Sequence, residues 1–193
     1  MISFALTWVI WKEEGDEPEK ASEASENSGA SSQEIPVVLP EKIEEKTLYA
    51  PVKGNVIARD QIPDETFASG VLGDGVGIEP EVGLVVAPCD GEIASLTDSR
   101  HAIGIVGAGG MEILIHVGID TVNMQGDGFE LLVSMGEKVK AGQKLLHFDL
   151  EKIKAAGYNT TTAVLVANSF MFPGFQVERT GKTELMEKLI STE

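Results

Sequence analysis

From about residue 47 onward, short runs of Val, Ile and Leu alternate with turn signals: "VKGNVIA", "GDGVGIEP", "APCDGEIASL", "GAGG", "QGDGFE" and "MGEKVKAGQ". Apolar runs of this length, punctuated by glycine, predict many short strands joined by tight turns. Helical periodicity is confined to "DLEKIKAAG" and to "TELMEKLIS", the latter predicted as a short C-terminal helix. The class is therefore all-β: an antiparallel sandwich or partly closed barrel with very short helices. An internal echo accompanies it. "LYAPVKGNVIA" (48–58) and "VVAPCDGEIAS" (85–95) share Ala-Pro-x-x-Gly-x-[Val/Ile], either as a duplicated unit or as a coincidence of turn chemistry.

One hairpin concentrates the chemistry. In "MEILIHVGIDT", alternation puts Ile113, Ile115, Val117 and Ile119 on a core face, and Glu112, Leu114, His116, Gly118 and Asp120 on the other. The preceding "SRHAIGIV" puts Ser99, His101, Ile103 and Ile105 on one face. If "GAGG" (107–110) is a four-residue loop, Val106 faces Met111 and His101 lies directly opposite His116. A slip by one residue would separate the two onto opposite faces. Gly118 is expected to leave open space beside His116. Two facing imidazoles are not both charged cheaply, and a face holding His, His, Ser and Asp suits a nucleophile beside a hydrogen-bond donor. The residues alone leave phosphoryl transfer and metal binding both open. His147 in "KLLHFDL" and Cys89 in "APCDG" read as structural.

Upstream, the texture changes twice. Residues 12–46 begin with "KEEGDEPEKASEASENSGASSQE", too poor in large apolar residues to offset ordering entropy, and read as an acidic flexible linker. Residues 1–11, "MISFALTWVIW", form an apolar stub too short to span a bilayer. The stub reads as the end of a membrane domain or as an anchor, and residues 47–193 as the folded domain. The formal net charge of −16 excludes a nucleic-acid-binding surface and favours basic partners. One cysteine excludes an intrachain disulfide and, with no Cys/His cluster, a structural zinc site.

These segments, in order from "LYAPVKG" through "GDG", "APCDG", both histidine stretches, "GDGF", "VKAGQ", "FDL" and "VLVANS", resemble the glucose-type enzyme IIA domain of the bacterial phosphoenolpyruvate:sugar phosphotransferase system over residues 47–170. The resemblance implies that His116 accepts a phosphoryl group from the phosphocarrier protein HPr and passes it to a cysteine of a IIB domain. It implies that His101 stabilises that group. Ser99 stands where the family has a threonine, keeping a hydroxyl for His101 or the phosphate. Asp74 and Asp120 match family aspartates that meet basic partner residues, with Val76, Leu114 and Val122 expected as an apolar collar. Zinc between His101 and His116 is allowed by the resemblance and not required; no other cofactor is implied. The stub and linker resemble the end of a membrane IIC domain in permeases that place IIA last. That implies a domain at the cytoplasmic face of the membrane, joined to IIC covalently or in a complex. The rival reading is a regulatory module whose partner binding depends on phosphorylation of His116.

Overall fold

The computed structural model describes residues 35–193. Its strands are β1 (Thr47–Tyr49), β2 (Gly54–Ala58), β3 (Asp74–Pro80), β4 (Leu84–Val86), β5 (Gly91–Leu96), β6 (Ala102–Gly107) and β7 (Glu112–Val117). They continue as β8 (Phe129–Leu131), β9 (Lys138–Val139), β10 (Lys144–Phe148), β11 (Thr162–Val166), β12 (Gln176–Val177), β13 (Gly181–Thr183) and β14 (Lys188–Ser191). Eight form one antiparallel sheet in the order β13-β2-β3-β11-β7-β6-β5-β9; β1-β14-β12 and β4-β10-β8 form two smaller sheets. The helices are α1 (Glu65–Ala68), α2 (Leu150–Ala155) and a few short 3₁₀ turns. The all-β antiparallel class is the one the alternation predicts. The apolar stub, and residues 12–34 of the expected linker, lie outside the described residues. The remainder of that stretch is not free of the domain: Ile35, Val37 and Ile43 pack on Tyr49, Leu84 and Val86.

Alternation builds the core. Ile113, Ile115 and Val117 of β7 are 1% exposed or less, and they pack with Ile103, Ile105, Val76, Ile78, Val164 and Val166 from neighbouring strands. Ile119 departs from its expected face. β7 ends at Val117 and Gly118 is left-handed, so Ile119 packs instead with Leu114, Ala102, Ala163 and Phe67 on the outer side of the sheet. The C-terminal helix is replaced by two strands in different sheets, β13 pairing with β2 and β14 with β1 and β12. Leu185, Met186, Leu189 and Ile190 have helix-like spacing, but Met186 turns the chain at φ +65° and Ile190 pairs with Leu48 of β1. Tertiary pairing overrides local propensity here.

The sequence echo is visible as a reciprocal hydrogen-bond pair. Tyr49 N–H donates to the Pro88 carbonyl at 2.9 Å, and Val86 N–H donates to the Pro51 carbonyl at 2.8 Å. These are equivalent positions in the two copies, so each Ala-Pro turn ties down the strand of the other. One residue on, Ala50 N–H donates to Glu187 O at 2.7 Å and Ala87 N–H to Gln143 O at 2.8 Å. The two acceptors close equivalent turns, in which Glu187 Oε2 accepts from Glu184 N and Gln143 Oε1 from Lys140 N. Cys89 is buried in the main core. His147 stands half-buried on β10, opposite Glu130 and Leu84.

Candidate functional site

The hairpin register differs from the expected one by a single residue. Val106 pairs with Glu112 and Ala102 pairs with His116. Gly107 N–H donates to Met111 O at 2.8 Å, and Ala108–Gly110 form a 3₁₀ turn between them. The loop is thus three residues, not four. Gly109 and Gly110 take φ of +79° and +83°, and Met111 is drawn into the core at 1% exposure. Asn168 clamps the loop from β11's end, accepting from Glu112 N at 3.0 Å and donating to Gly110 O at 2.9 Å.

Strict alternation would now place the two histidines on opposite faces. They meet nonetheless: the ring centroids are 4.6 Å apart and edge-to-face, with an interplanar angle of 80°. The reason is that His101 precedes β6. Arg100 is left-handed at φ +58°, so the pleat does not govern where the His101 side chain goes. His116, by contrast, sits in regular strand at the middle of the sheet, flanked across the ladder by Ala102 and Ala163. Small neighbours on both sides leave room for the imidazole on the outer face. Phe67 of α1 packs on it from above, ring centroids 4.9 Å apart.

The two rings are held differently. His116 Nδ1 lies 2.9 Å from the Gly118 carbonyl. A carbonyl only accepts, so Nδ1 carries the proton and Nε2 carries the lone pair. Gly118 is required twice over: its φ is +76°, and a Cβ there would lie 2.4 Å from Thr121 Cγ2 and 2.9 Å from Asn159 O. The open space expected beside His116 at this glycine is therefore taken by Thr121, whose hydroxyl donates to Val117 O at 2.6 Å. His101 Nδ1 lies 2.8 Å from Ser99 Oγ and 3.5 Å from Thr97 Oγ1. The Thr97 hydroxyl also accepts from Ala102 N at 3.2 Å. In the tautomer whose Nδ1 accepts from the Ser99 hydroxyl, His101 carries its proton on Nε2.

Both imidazoles are neutral near pH 7. Burial, then the neighbouring His116, push His101 from 6.5 down to about 4, against the Ser99 backbone. Burial also lowers His116, opposed by its hydrogen bond to Gly118 and by the Asp64 carboxylate. Asp64 caps α1, accepting from Phe67 N at 3.1 Å. Phe67, Asp64, Thr97 and the Gly118 carbonyl carry no histidine-like signal; only the Asp-x-x-Phe capping pattern before "GDG" hints at the first two.

The expected flanking residues divide. Leu114 shares the outer face with His116 but is 9% exposed, covered by its own cluster. Asp120 and Val122 lie in the turn after β7 and are exposed, Val122 by 52%. Val76 does not belong to a collar: it is 0% exposed in the main core, because Gly75 and Gly77 hold the outward positions of β3. Asp74 is exposed at the start of β3, its carboxylate bound by Arg59 Nε at 3.1 Å and by Gly75 N at 2.8 Å. Among the described residues no group of three or more His, Cys, Asp or Glu surrounds the pair. A metal between His101 and His116 would need a further ligand from beyond the described residues.

The antiparallel all-β fold is that of a solved phosphotransferase-system IIA domain. Residues 46–172 match the family model for the phosphoenolpyruvate-dependent sugar phosphotransferase system, EIIA 1, and the chain belongs to that family. It is 49% identical over 131 residues to the glucose-specific EIIA component of Bacillus cereus, covering 68% of this chain and 79% of that protein. It is 41% identical over 169 residues to the beta-glucoside-specific EIIBCA component of Dickeya chrysanthemi, covering 88% of this chain but 25% of that longer protein. The solved glucose permease IIA from Mycoplasma capricolum superposes with a TM-score of 0.69 at 31% identity, covering 75% of this chain and 93% of that one. The family supports a phosphoryl-carrier role in sugar phosphotransfer. No helix among the described residues is long and apolar enough to cross a membrane.

Proposed function

We propose that the chain accepts a phosphoryl group from phospho-HPr on His116 Nε2 and donates it to a cysteine of a IIB domain during sugar uptake. The observation that carries this reading is the hydrogen bond from His116 Nδ1 to the Gly118 carbonyl. It leaves Nε2 as the nucleophile. The Nε2 lone pair attacks phosphorus, the new N–P bond forms, and the donor's P–N bond breaks, its electrons returning to the donor imidazole. Positive charge rises on the His116 ring and is stabilised at Nδ1–H by the Gly118 carbonyl. Charge spreading over the phosphoryl oxygens meets the His101 Nε2–H, which Ser99 orients. A second, in-line displacement by the IIB thiolate returns His116 to its starting state.

Asp120 and Val122, exposed beside the site, offer partners a charged and an apolar contact. The net charge of −16 steers a basic partner toward the domain. Relatives in which EIIA is fused with B and C components support association of this domain with IIB and with a membrane IIC domain at the cytoplasmic face. Zinc is a further proposal, held by His101 and His116 with a partner's carboxylate. The test is to phosphorylate the chain with phosphoenolpyruvate, the general phosphotransferase enzyme and HPr, then locate the phosphate by nitrogen-15 and phosphorus-31 NMR. The expected result is phosphate on Nε2 of His116 and none on His116→Ala. Phosphate on any other residue, or uptake by His116→Ala, ends the reading.

A further inference from the structure

We propose that Arg59 is a positioning residue for His116: its guanidinium straps the end of α1 to Asp74 and so holds the Phe67 ring against the imidazole. The inference rests on the reading of His116 as phosphoryl acceptor. Helix α1 is four residues long, too short to sustain itself, because nucleating a turn costs more than its few hydrogen bonds return. It must be held from outside at both ends. Asp64 does this at the start. At the end, Arg59 Nη1 donates to the Ala68 carbonyl and, at 3.5 Å, to the Phe67 carbonyl, while Nε donates to Asp74 Oδ1.

A cation on the last carbonyls also complements the helix dipole. The guanidinium is no loose surface group. Its side chain is 24% exposed, and it packs so closely over Gly70 that a Cβ there would lie 2.6 Å from Nη1. One fork therefore joins three points: the end of α1, the turn at Gly70 and the start of β3.

The consequence falls on His116. Its hydrogen bond to Gly118 fixes the position of Nδ1 but not the tilt of the ring, since χ2 of histidine is a broad torsion. Tilt is limited by the two rings packed on it, His101 and Phe67. His101 has its own support in Ser99 and Thr97. Phe67 has α1, which Ile62 and Leu72 anchor through apolar contact and Arg59 through polar contact. Loss of Arg59 frees the end of α1 without removing the apolar anchor, so the effect is partial.

The experiment compares Arg59→Gln, Arg59→Lys and Asp74→Asn in the full chain. In the unphosphorylated proteins it reads nuclear Overhauser contacts between the Phe67 and His116 rings and the His116 ring-proton shifts. It then measures acceptance from phospho-HPr. Arg59→Gln is expected to weaken the ring contact and to slow acceptance roughly tenfold in kcat with KM little changed, the cost of a misaligned nucleophile. Arg59→Lys keeps the charge but not the fork and falls between, and Asp74→Asn shifts the same signals by less. Unchanged ring contacts in a folded Arg59→Gln overturn the proposal; if that variant does not fold, unchanged contacts in Arg59→Lys do so. A loss confined to KM also overturns it, because Arg59 would then touch the partner. Failure of the wild-type chain to take phosphate from HPr would sink the functional reading alone, since the ring contacts are read without phosphate.

Discussion

The two histidines of one hairpin are built by opposite means. His116 stands in a regular central strand, between two alanines, with its tautomer set by a backbone carbonyl. His101 stands outside the strand, after a left-handed arginine, with its ring held by two hydroxyls. The regular strand gives rigidity, which suits a nucleophile that must align with phosphorus. The turn gives reach, which brings a second imidazole to a face that alternation denies it. A site assembled only from regular strands would have to put both rings in register, and here the register is wrong for that by one residue.

The widest gap between the two regions is expected in transfer. His101→Gln leaves the nucleophile in place, so it still accepts from phospho-HPr but donates to IIB slowly. His116→Gln loses acceptance by a factor on the order of a thousand or more, as removal of a covalent nucleophile does. Rapid-quench measurement of each half-reaction separates them; equal donation by His101→Gln and wild type would remove His101 from the mechanism.

Acid is expected to act on stability next. Both folded-state pKa values lie below the unfolded value, so the unfolded chain binds more protons and stability falls as pH drops below 6.5. For His101, the gap from 6.5 to about 4 corresponds to a loss of ~3 kcal/mol by pH 4, at about 1.4 kcal/mol per pH unit. Urea titrations at pH 7 and pH 4.5 check this: His101→Gln should lose less stability between them than wild type. An equal loss would place the acid sensitivity elsewhere.

Gly118→Ala tests the support of the strand histidine. The left-handed φ and the clash with Thr121 should cost about 2 kcal/mol or more and displace the carbonyl that holds Nδ1. Thermal unfolding gives the first figure; the His116 nitrogen-15 shifts show whether the tautomer is lost, and an unmoved tautomer would dissociate the glycine from the site. Ser99→Ala, the smallest change, removes one hydroxyl from the turn histidine. It should cost about 1 kcal/mol, with Thr97 left 3.5 Å from the same nitrogen as a partial substitute. Donation slowed a few-fold and acceptance unchanged would keep Ser99 as the orienting group; slowed acceptance would assign it to the phosphoryl group itself.

Much of this protein is legible in the order of its residues. Alternation in "EILIHV" put Ile113, Ile115 and Val117 in the core and Leu114 and His116 outside it, because a strand's side-chain period leaves no other choice once one face is apolar. The Ala-Pro echo marked two turns that the fold ties to each other. The family motifs named the histidines. Tertiary structure alone decided the rest. A three-residue turn clamped by Asn168, fifty-six residues past Glu112, set the hairpin register. Left-handed Arg100 returned His101 to the face that this register had taken from it. Burial of Val76 behind two glycines, and the strap from Arg59 across to Asp74 and α1, depend on which strands lie side by side. Local pattern determines which way a residue faces within its own strand; contacts between distant segments decide what it meets there, because their free energy depends on the packed whole.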